Sequence, residues 1–263
     1  MKQTYKCKIL KNIDINEEVF KLVLERPAGM DEIKSGQFHN LSVNNAGFPY
    51  LKRPISVSDV SETEIEFTIK VNGEGTSILR EREVGETLDV LGPLGNGFTV
   101  GPKGEKSLVI GGGIGVAPVK LLAKEIKEQR GEDVKVLLGF RDTPYEIEEF
   151  KQYTSDVEIA TENGEAGHKG YVTALLEREL ENNKYDMVYV CGPHVMLECI
   201  GVYCNKMNVP VQLLMEERMA CGIGACLVCT CKIKDDTKEE GHWNKRVCKD
   251  GPVFMGSEVV FGE

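Results

Sequence analysis

Four cysteines near the C-terminal end constrain the fold of this chain more than any other feature. Cys221, Cys226 and Cys229 follow the pattern C-x4-C-x2-C, and Cys248 comes later in the chain. This is the ligand spacing of a plant-type [2Fe-2S] cluster, whereas the thiolates of a zinc ribbon usually come as two C-x2-C pairs. The spacers hold two glycines and an alanine, so the loop can fold tightly and direct backbone N–H groups at sulfur. The sequence therefore predicts an iron–sulfur cluster in this segment.

The fourth ligand and the metal each have an alternative. Cys231 lies two residues after Cys229. In an extended strand a neighbour so close would have difficulty reaching the second iron, so we expect Cys248 to be the fourth ligand. Zinc is the alternative metal, because four-cysteine loops are common structural zinc sites.

Composition and charge exclude several classes of function. The chain has 263 residues, of which 41% are hydrophobic, and its formal net charge of −10 argues against a nucleic-acid partner. The first residues lack the apolar core of a signal peptide, and no apolar run approaches the ~18 residues of a membrane span. We therefore expect a cytoplasmic protein without a membrane partner. Nine cysteines, an odd number, argue against disulfides, and Cys7, Cys199 and Cys204 are predicted to be packing residues.

The pattern of apolar residues predicts three domains, at residues 1–98, 99–215 and 216–263. In the first, six short alternating segments predict an antiparallel barrel with strands at residues 5–10, 19–24, 37–43, 55–59, 64–70 and 87–91. One helix interrupts these strands, beginning at Gly75 with Thr76 or Ser77 as its N-cap.

The second domain alternates between strands and helices, which predicts a doubly wound parallel sheet. Strands are predicted at residues 107–110, 134–139, 157–160, 187–191 and 211–215, and helices at 118–129, 145–153, 172–181 and 195–206. The third domain is too small to fold alone, so a metal centre would stabilise it. Its charged stretch at residues 234–242 is predicted to be a solvated loop between short strands.

Two segments of the predicted barrel carry residues suited to a phosphate-bearing ligand. Arg53, Pro54, Ile55 and Ser56 place a guanidinium and a hydroxyl on one buried strand, which suits a phosphate and the edge of an isoalloxazine. Taken alone, this tetrapeptide has an alternative explanation as an exposed edge strand. Residues 72–77 place glycines and hydroxyls at a helix start, where free N–H groups favour a pyrophosphate. Together the two segments predict a dinucleotide site.

A glycine-rich turn follows the first strand of the second domain and leads into a helix, as a nucleotide-binding loop requires. It contains Gly111, Gly112, Gly113 and Gly115. The pattern is not a clean G-x-G-x-x-G, and a plain tight turn is the alternative. At the end of the next strand, Asp142 could accept a hydrogen bond from a ribose hydroxyl, favouring NAD, whereas Arg141 could pair with a 2′-phosphate, favouring NADP. The sequence leaves both open.

A third candidate segment, Cys191, Gly192 and Pro193, comes at the carboxyl end of a predicted strand. Open α/β sheets bind ligands at that edge, so Cys191 could border a nicotinamide; a buried packing cysteine is the alternative. No serine or cysteine forms a motif with a histidine and an acid, so His168 and His194 are not expected to act as general bases.

These motifs together make residues 1–215 similar to the ferredoxin reductase superfamily, in which a flavin-binding barrel precedes a nicotinamide-nucleotide domain. The resemblance implies FAD and NAD as cofactors. It assigns cofactor binding to Arg53, Pro54, Ile55, Ser56, Lys70, Val71, Asn72, Gly75, Thr76, Ser77, Gly111, Gly112, Gly113, Gly115, Cys191, Gly192 and Pro193. One position departs from the family pattern. Ile55 stands where the superfamily usually has tyrosine, so no hydroxyl is available there.

With the cysteine loop included, the whole chain resembles the electron-transfer subunits of NAD-linked dihydroorotate dehydrogenases. Residues 138–141, 168–173 and 217–226 carry this resemblance beside the motifs above. It implies FAD, one [2Fe-2S] cluster held by Cys221, Cys226, Cys229 and Cys248, and a separate FMN-containing catalytic subunit in a heterotetramer of two of each. Electrons would enter at the cluster, pass singly to FAD and leave as hydride to NAD⁺ in pyrimidine biosynthesis.

Two other functions are compatible with the motifs. One keeps the redox chain and changes the partner, making the chain a subunit of an NADH-dependent ferredoxin:NADP⁺ transhydrogenase or of a hydrogenase. The other is a nucleotide sensor without enzymatic activity, stabilised by zinc. A flavin can exchange electrons in pairs with nicotinamide and singly with a cluster, which favours a redox function.

Overall fold

The structure, a computed structural model, describes residues 3–44 and 48–262. Its first part is a seven-stranded antiparallel sheet with one helix, α1 (Glu74–Arg80). The strands are β1 (Thr4–Asp14), β2 (Val19–Glu25), β3 (Phe38–Leu41), β4 (Arg53–Ser56), β5 (Asp59–Val60), β6 (Glu64–Lys70) and β7 (Thr87–Leu94). In β1, buried Cys7 and Ile9 alternate with outward lysines, which is the two-residue period of a half-buried strand.

The strand order in this sheet is β4-β3-β7-β1-β2-β6-β5, and the sheet curls until β4 also approaches β6. The curled sheet encloses an apolar core that includes Phe20, Leu22, Phe67 and Leu41. Three of the six strand pairings, β1–β2, β3–β4 and β5–β6, join strands that are consecutive in the chain, and the other three join strands that are distant in sequence.

The second part is a parallel sheet with helices on both faces. Its strands are β8 (Ser107–Gly112), β9 (Lys135–Phe140), β10 (Val157–Thr161), β11 (His168–Lys169), β12 (Met187–Cys191) and β13 (Val211–Leu214). Its helices are α2 (Val116–Arg130), α3 (Ile147–Phe150), α4 (Val172–Asn182) and α5 (His194–Lys206). Successive residues of β8 serve different cores: Leu108 and Ile110 pack on one face and Val109 on the other. A strand covered on both faces is apolar throughout, as in other parallel sheets.

The last part follows β13 and is joined to the parallel sheet. It contains β14 (Thr230–Lys234), β15 (His242–Arg246), α6 (Val247–Asp250) and β16 (Val253–Met255). Strand β16 pairs antiparallel with β13, which gives the sheet the order β11-β10-β9-β8-β12-β13-β16. Cys229, Cys248 and Phe254 therefore share a core with the nucleotide-binding sheet. Among the described residues, no helix is both long and apolar enough to cross a lipid bilayer.

The predicted fold class is confirmed, and the charged stretch at 234–242 connects β14 to β15 as expected. The predicted helix start is wrong. Helix α1 begins at Glu74, and its N-cap is Gly73 with φ 86°, a backbone conformation suited to glycine. Neither Thr76 nor Ser77 is the N-cap; both hydroxyls donate to the Gly73 carbonyl.

Three further expectations differ from the structure. The segment at 53–56 forms an edge strand whose residues are half-buried, not a fully buried strand. Cys199 is exposed, while Cys7 and Cys204 are buried as expected. The predicted helix at 145–153 is reduced to α3, because Glu146 before it has φ 61° and breaks the helical backbone.

Candidate functional site

The four predicted ligand cysteines lie together as two pairs. The Cys221 thiol contacts that of Cys226, and the Cys248 thiol contacts that of Cys229. Cys248 is also close enough to Cys221 for the two groups to interact electrostatically. Among the residues that the structure describes, no three His, Cys, Asp or Glu side chains converge on a point suited to one metal ion. Two thiol pairs side by side fit a centre of two irons better than a single tetrahedral zinc.

The loop backbone favours a thiolate at Cys221. Backbone N–H groups of Ile223, Ala225 and Cys226 donate to its Sγ at 3.5, 3.3 and 3.4 Å. Desolvation by burial raises the pKa of this thiol, but these donors and a hydrogen bond with the Cys226 thiol together outweigh it and lower the pKa to about 6. A sulfur that accepts several N–H groups is suited to the electron-rich ligands of an iron–sulfur cluster.

The fifth nearby cysteine, Cys231, is buried on β14, opposite Lys245. Burial and the charge of Glu217 raise the pKa of its thiol to about 11. The Cys229 thiol is engaged by the Cys248 thiol and by the Cys248 N–H at 3.5 Å. This arrangement supports Cys248 as the fourth ligand.

The cysteine loop touches the first sheet directly. Asn40 on β3 donates from Nδ2 to the Cys221 carbonyl at 3.4 Å. A Cβ added at Gly222 would lie 2.1 Å from the same Nδ2, so only glycine permits this approach. Asn40 is buried, and among the described residues its Oδ1 has no hydrogen-bond partner. Across the β3–β4 pairing, Asn40 lies opposite Pro54. One residue thus connects the cysteine loop to the predicted flavin strand.

The predicted flavin residues meet where β4 faces the start of α1. A Cβ at Gly75 would lie 2.1 Å from Nε of Arg53, so the guanidinium rests against the glycine backbone. Thr76 accepts the Asn72 N–H at 2.7 Å and shapes the turn between β6 and α1. A guanidinium beside free helix N–H groups is an arrangement suited to a pyrophosphate.

The glycine-rich turn packs against the end of β12. A Cβ at Gly115 would lie 2.5 Å from the Cys191 carbonyl, and one at Gly112 would lie 2.4 Å from the Met196 sulfur. Gly113 is different, because its added Cβ would meet nothing within 4 Å and its φ is 55°. The turn therefore presents open backbone on one side, where a ligand can approach, and is tightly packed on the other.

A cavity of about 850 Å³ lies beside this turn, between the two sheets. The parallel sheet contributes Gly112, Gly113, Phe140, Pro193 and Met196, among others, and the first sheet contributes Val19 and Lys70. The exposed Cys199 also lines it. Cys191 itself is buried, and burial raises the pKa of its thiol well above the ordinary value, so it is a neutral thiol at pH 7.

Charged residues at the cavity bear on the choice of nucleotide. The lining includes Glu17, Glu18, Asp142 and Glu162, against two basic residues, Lys70 and Arg141. Arg141 is ion-paired with Asp142 at 2.6 Å and with Glu18 at 3.6 Å. Its guanidinium is thus engaged by carboxylates. The excess of acidic groups disfavours an additional phosphate.

Two features of the site were not foreseen from the sequence. The Tyr145 hydroxyl donates to the Gly113 carbonyl at 2.9 Å and fixes the glycine-rich turn. Lys120 is almost fully buried, and its ammonium contacts two carboxylates, Glu66 on β6 of the first sheet and Glu146 just before α3. The sequence did carry a signal for this contact. Lys120 lies within the apolar run of helix α2, and a charged residue at a core position requires a partner of opposite charge.

Family comparisons match two parts of the chain. The model of the iron–sulfur cluster binding domain of dihydroorotate dehydrogenase B matches residues 216–260, and that of the oxidoreductase NAD-binding domain matches residues 109–201. A Clostridium acetobutylicum protein, named dihydroorotate dehydrogenase B (NAD(+)), electron transfer subunit, is 39% identical over 264 residues and 100% of both chains. A protein of the same name from Caldanaerobacter subterraneus is 40% identical over 99% of this chain and 100% of its own.

Solved structures with the same fold include two reductases. A chain of an NADH-dependent reduced ferredoxin-NADP oxidoreductase, studied for flavin-based electron bifurcation, is 30% identical with a TM-score of 0.85. The match covers 99% of this chain and 91% of that one. The ferredoxin reductase of carbazole 1,9a-dioxygenase is 21% identical with a TM-score of 0.70, over 81% of this chain and 69% of that one, and shares the fold.

Proposed function

This chain belongs to the family of dihydroorotate dehydrogenase B (NAD(+)) electron transfer subunits, and from this premise we propose that it passes electrons from a dihydroorotate-oxidising catalytic subunit to NAD⁺. A [2Fe-2S] cluster and FAD are the centres it would use. The partner subunit would contain FMN, and two copies of each chain would form the complex.

The observation that carries the proposal is the position of the first sheet between the cysteine loop and the cavity. Its β3 contacts the cysteine loop through Asn40, and its Val19 and Lys70 line the cavity beside the glycine-rich turn. A flavin held by this sheet would therefore have a one-electron centre on one side and a nicotinamide on the other. Bound flavin supplies the exchange between single electrons and hydride.

The chain's own residues fit these groups. Arg53 and the N-terminus of α1 would hold the flavin pyrophosphate, and Gly75 leaves room for the guanidinium. The buried Oδ1 of Asn40, which has no hydrogen-bond partner within the described part of the chain, offers an acceptor to a group that brings a donor. The open backbone at Gly113 would bind the nucleotide pyrophosphate. Ile55 contributes apolar contact only.

The cavity supports NAD as the nucleotide. The 2′-phosphate of NADP would lie among the charged residues that line the cavity, where carboxylates outnumber cations. Arg141, which could otherwise bind it, is already ion-paired with Asp142. NADPH should therefore bind more weakly than NADH because of like-charge repulsion.

The cysteine loop offers a face for the catalytic subunit. Ile223, Leu227 and Val228 are apolar side chains that are each about half exposed or more, and all three lie within the loop. Exposed apolar groups clustered at a redox centre support a protein partner at this face. A partner bound here would also have a short path for electron transfer to the cluster.

A reconstitution experiment tests this function. The chain purified alone should contain flavin and iron–sulfur chromophores and oxidise NADH with artificial acceptors, without oxidising dihydroorotate. Addition of the catalytic subunit should produce dihydroorotate-dependent reduction of NAD⁺. Dihydroorotate oxidation by the chain alone, or a colourless protein with one zinc, would contradict the proposal.

The solved bifurcating reductase favours a second candidate, a subunit of a ferredoxin:NADP⁺ transhydrogenase, because that chain is 30% identical to this one over nearly its whole length. Isolation of the native complex separates the two. An FMN-containing partner that oxidises dihydroorotate supports the first function, and a larger iron–sulfur flavoprotein supports the second.

A further inference from the structure

A largely buried cluster of charged groups joins the first sheet to the second part of the chain near the cavity. Lys120 on α2 contacts Glu66 at 2.7 Å and Glu146 at 3.0 Å, and Lys21 on β2 contacts the same two carboxylates at 3.2 and 3.3 Å. Thr68 donates to Glu146 at 2.6 Å. Three of these residues lie on strands of the first sheet, while Lys120 lies on helix α2 and Glu146 directly precedes α3, so the cluster fixes the first sheet against the second part of the chain.

Glu146 occupies the centre of this cluster in an unusual conformation. Its backbone has φ 61°, which residues other than glycine, asparagine or aspartate seldom adopt. Its Oε1 accepts all three partners, while its Oε2 is buried and has no hydrogen-bond partner among the described residues. Such strain and incomplete satisfaction persist only where the surroundings hold the residue in place, and they concentrate at functional sites.

The residue before Glu146 holds the nucleotide turn. Tyr145 donates to the Gly113 carbonyl at 2.9 Å, and its ring packs edge-on against Phe140 at the cavity wall. On the other side, Lys21 and Thr68 lie directly opposite each other in the β2–β6 pairing. The next pair on the same face of those strands is Val19 with Lys70, and both line the cavity.

A short path of contacts therefore runs from the wall of the first sheet, through Glu146 and Tyr145, to the glycine-rich turn. We propose that Glu146 is a positioning residue for hydride exchange, which sets the nucleotide turn at a fixed distance from the flavin-binding sheet. This inference rests on the proposed function. Transfer needs the reacting atoms held about 3–3.5 Å apart, and a misplacement of about 1 Å can cost ~100-fold in rate. Binding tolerates looser placement. Loss of Glu146 should thus slow transfer more than it weakens binding.

The chain offers a matched control on helix α4, away from the first sheet. Glu179 is also buried, and it contacts Lys135 at 3.4 Å and accepts from Tyr185 at 2.9 Å. None of these residues belongs to the first sheet. Glu179→Gln therefore removes a comparable buried charge without touching the junction between the sheets.

The first experiment mixes NADH rapidly with Glu146→Gln, Glu179→Gln and unaltered chains carrying flavin and cluster. In E146Q the limiting rate of flavin reduction should fall about tenfold or more, while the NADH Kd, melting temperature and flavin content stay close to those of E179Q. Thr68→Val, which removes one donor to Glu146, should give a smaller loss of rate. Equal rates in E146Q and E179Q, or a loss confined to Kd or melting temperature, would overturn the inference.

The second measurement does not depend on electron transfer. Amide hydrogen exchange at residues 111–115 should accelerate in E146Q and T68V, but not in E179Q, because the turn loses its fixed anchor. Unchanged exchange in E146Q would refute the positioning role. If the unaltered chain bound NADH but failed to reduce flavin, the proposed function would fail, and hydrogen exchange would still decide the role of Glu146.

Discussion

The first sheet meets its two neighbours in physically different ways. Toward the nucleotide-binding sheet, the contact is a buried cluster of lysines and carboxylates. Toward the cysteine loop, Gly222 packs against the Asn40 amide without room for a Cβ. The first contact fixes orientation through directional charges, and the second brings backbones close together.

The difference matches the two transfers that the proposed function requires. Hydride exchange depends on alignment and on a cavity that a nucleotide can enter and leave, so the sheets must stand apart at a controlled distance. The transfer of a single electron needs no substrate between the donor and acceptor centres, so a direct contact without a cavity is sufficient. Four predictions can break or sharpen this comparison.

The largest effect is expected from the ligands themselves. Cys248→Ser should abolish the cluster, because it removes one of four thiolates and leaves Cys229 without its partner. Cys231→Ser should retain the cluster, since Cys231 is a buried neutral thiol on β14. Iron and sulfide analysis with visible spectra measures both. Cluster loss only in the Cys231 variant would show that the ligand assignment is wrong.

The close contact at the cysteine loop should tolerate no added methyl group. Gly222→Ala places a Cβ 2.1 Å from the Asn40 amide and should cost about 1–3 kcal/mol beyond its backbone strain, with much of the cluster lost. Gly241→Ala is the control, because both glycines have φ 69° but Gly241 has nothing within 4 Å. Equal cluster content in the two variants would mean that the contact with Asn40 is unimportant.

The flavin anchor should respond more mildly. Gly75→Ala would push the Arg53 guanidinium away from the start of α1, and losing one charge-assisted hydrogen bond should raise the flavin Kd about tenfold. Gly201→Ala in α5 meets its neighbours only at 3.4 Å and should bind flavin normally. Fluorescence titration of flavin-free protein distinguishes them. Normal flavin affinity in G75A would remove Arg53 from the site.

The smallest effect concerns pH at the charged contact. Burial raises the pKa of Glu66, but Lys120 and Lys21 outweigh it, so its folded pKa lies below the ordinary 4.5. Its stabilising contribution is therefore present above about pH 4.5 and is lost as the pH falls through the folded value. Between pH 6 and pH 4, the unaltered chain should lose more unfolding free energy than Glu66→Gln. Urea unfolding measures this, and parallel pH dependence would contradict it.

The sequence predicted much of the fold but few of the contacts between residues that are distant in the chain. Strands β6 and β12 have the bounds predicted for them, since their apolar patterns end at clear turn residues. Strand β16 was missed, because its three residues are recognisable only by their pairing with β13. The helix predicted at 145–153 was too long, because the left-handed backbone at Glu146 follows from its distant partners and not from local preference.

By itself the sequence determined the chemistry of this protein. The spacing of the cysteines, the glycine-rich turn after a buried strand, and the arginine and serine of β4 are local patterns, and each depends only on residues close together in the chain. Tertiary structure decided how these parts face one another. Whether Cys248 joins Cys229, whether Asn40 touches the cysteine loop and whether Glu146 binds Lys120 all depend on long-range packing, because these partners are brought together only when the sheets assemble.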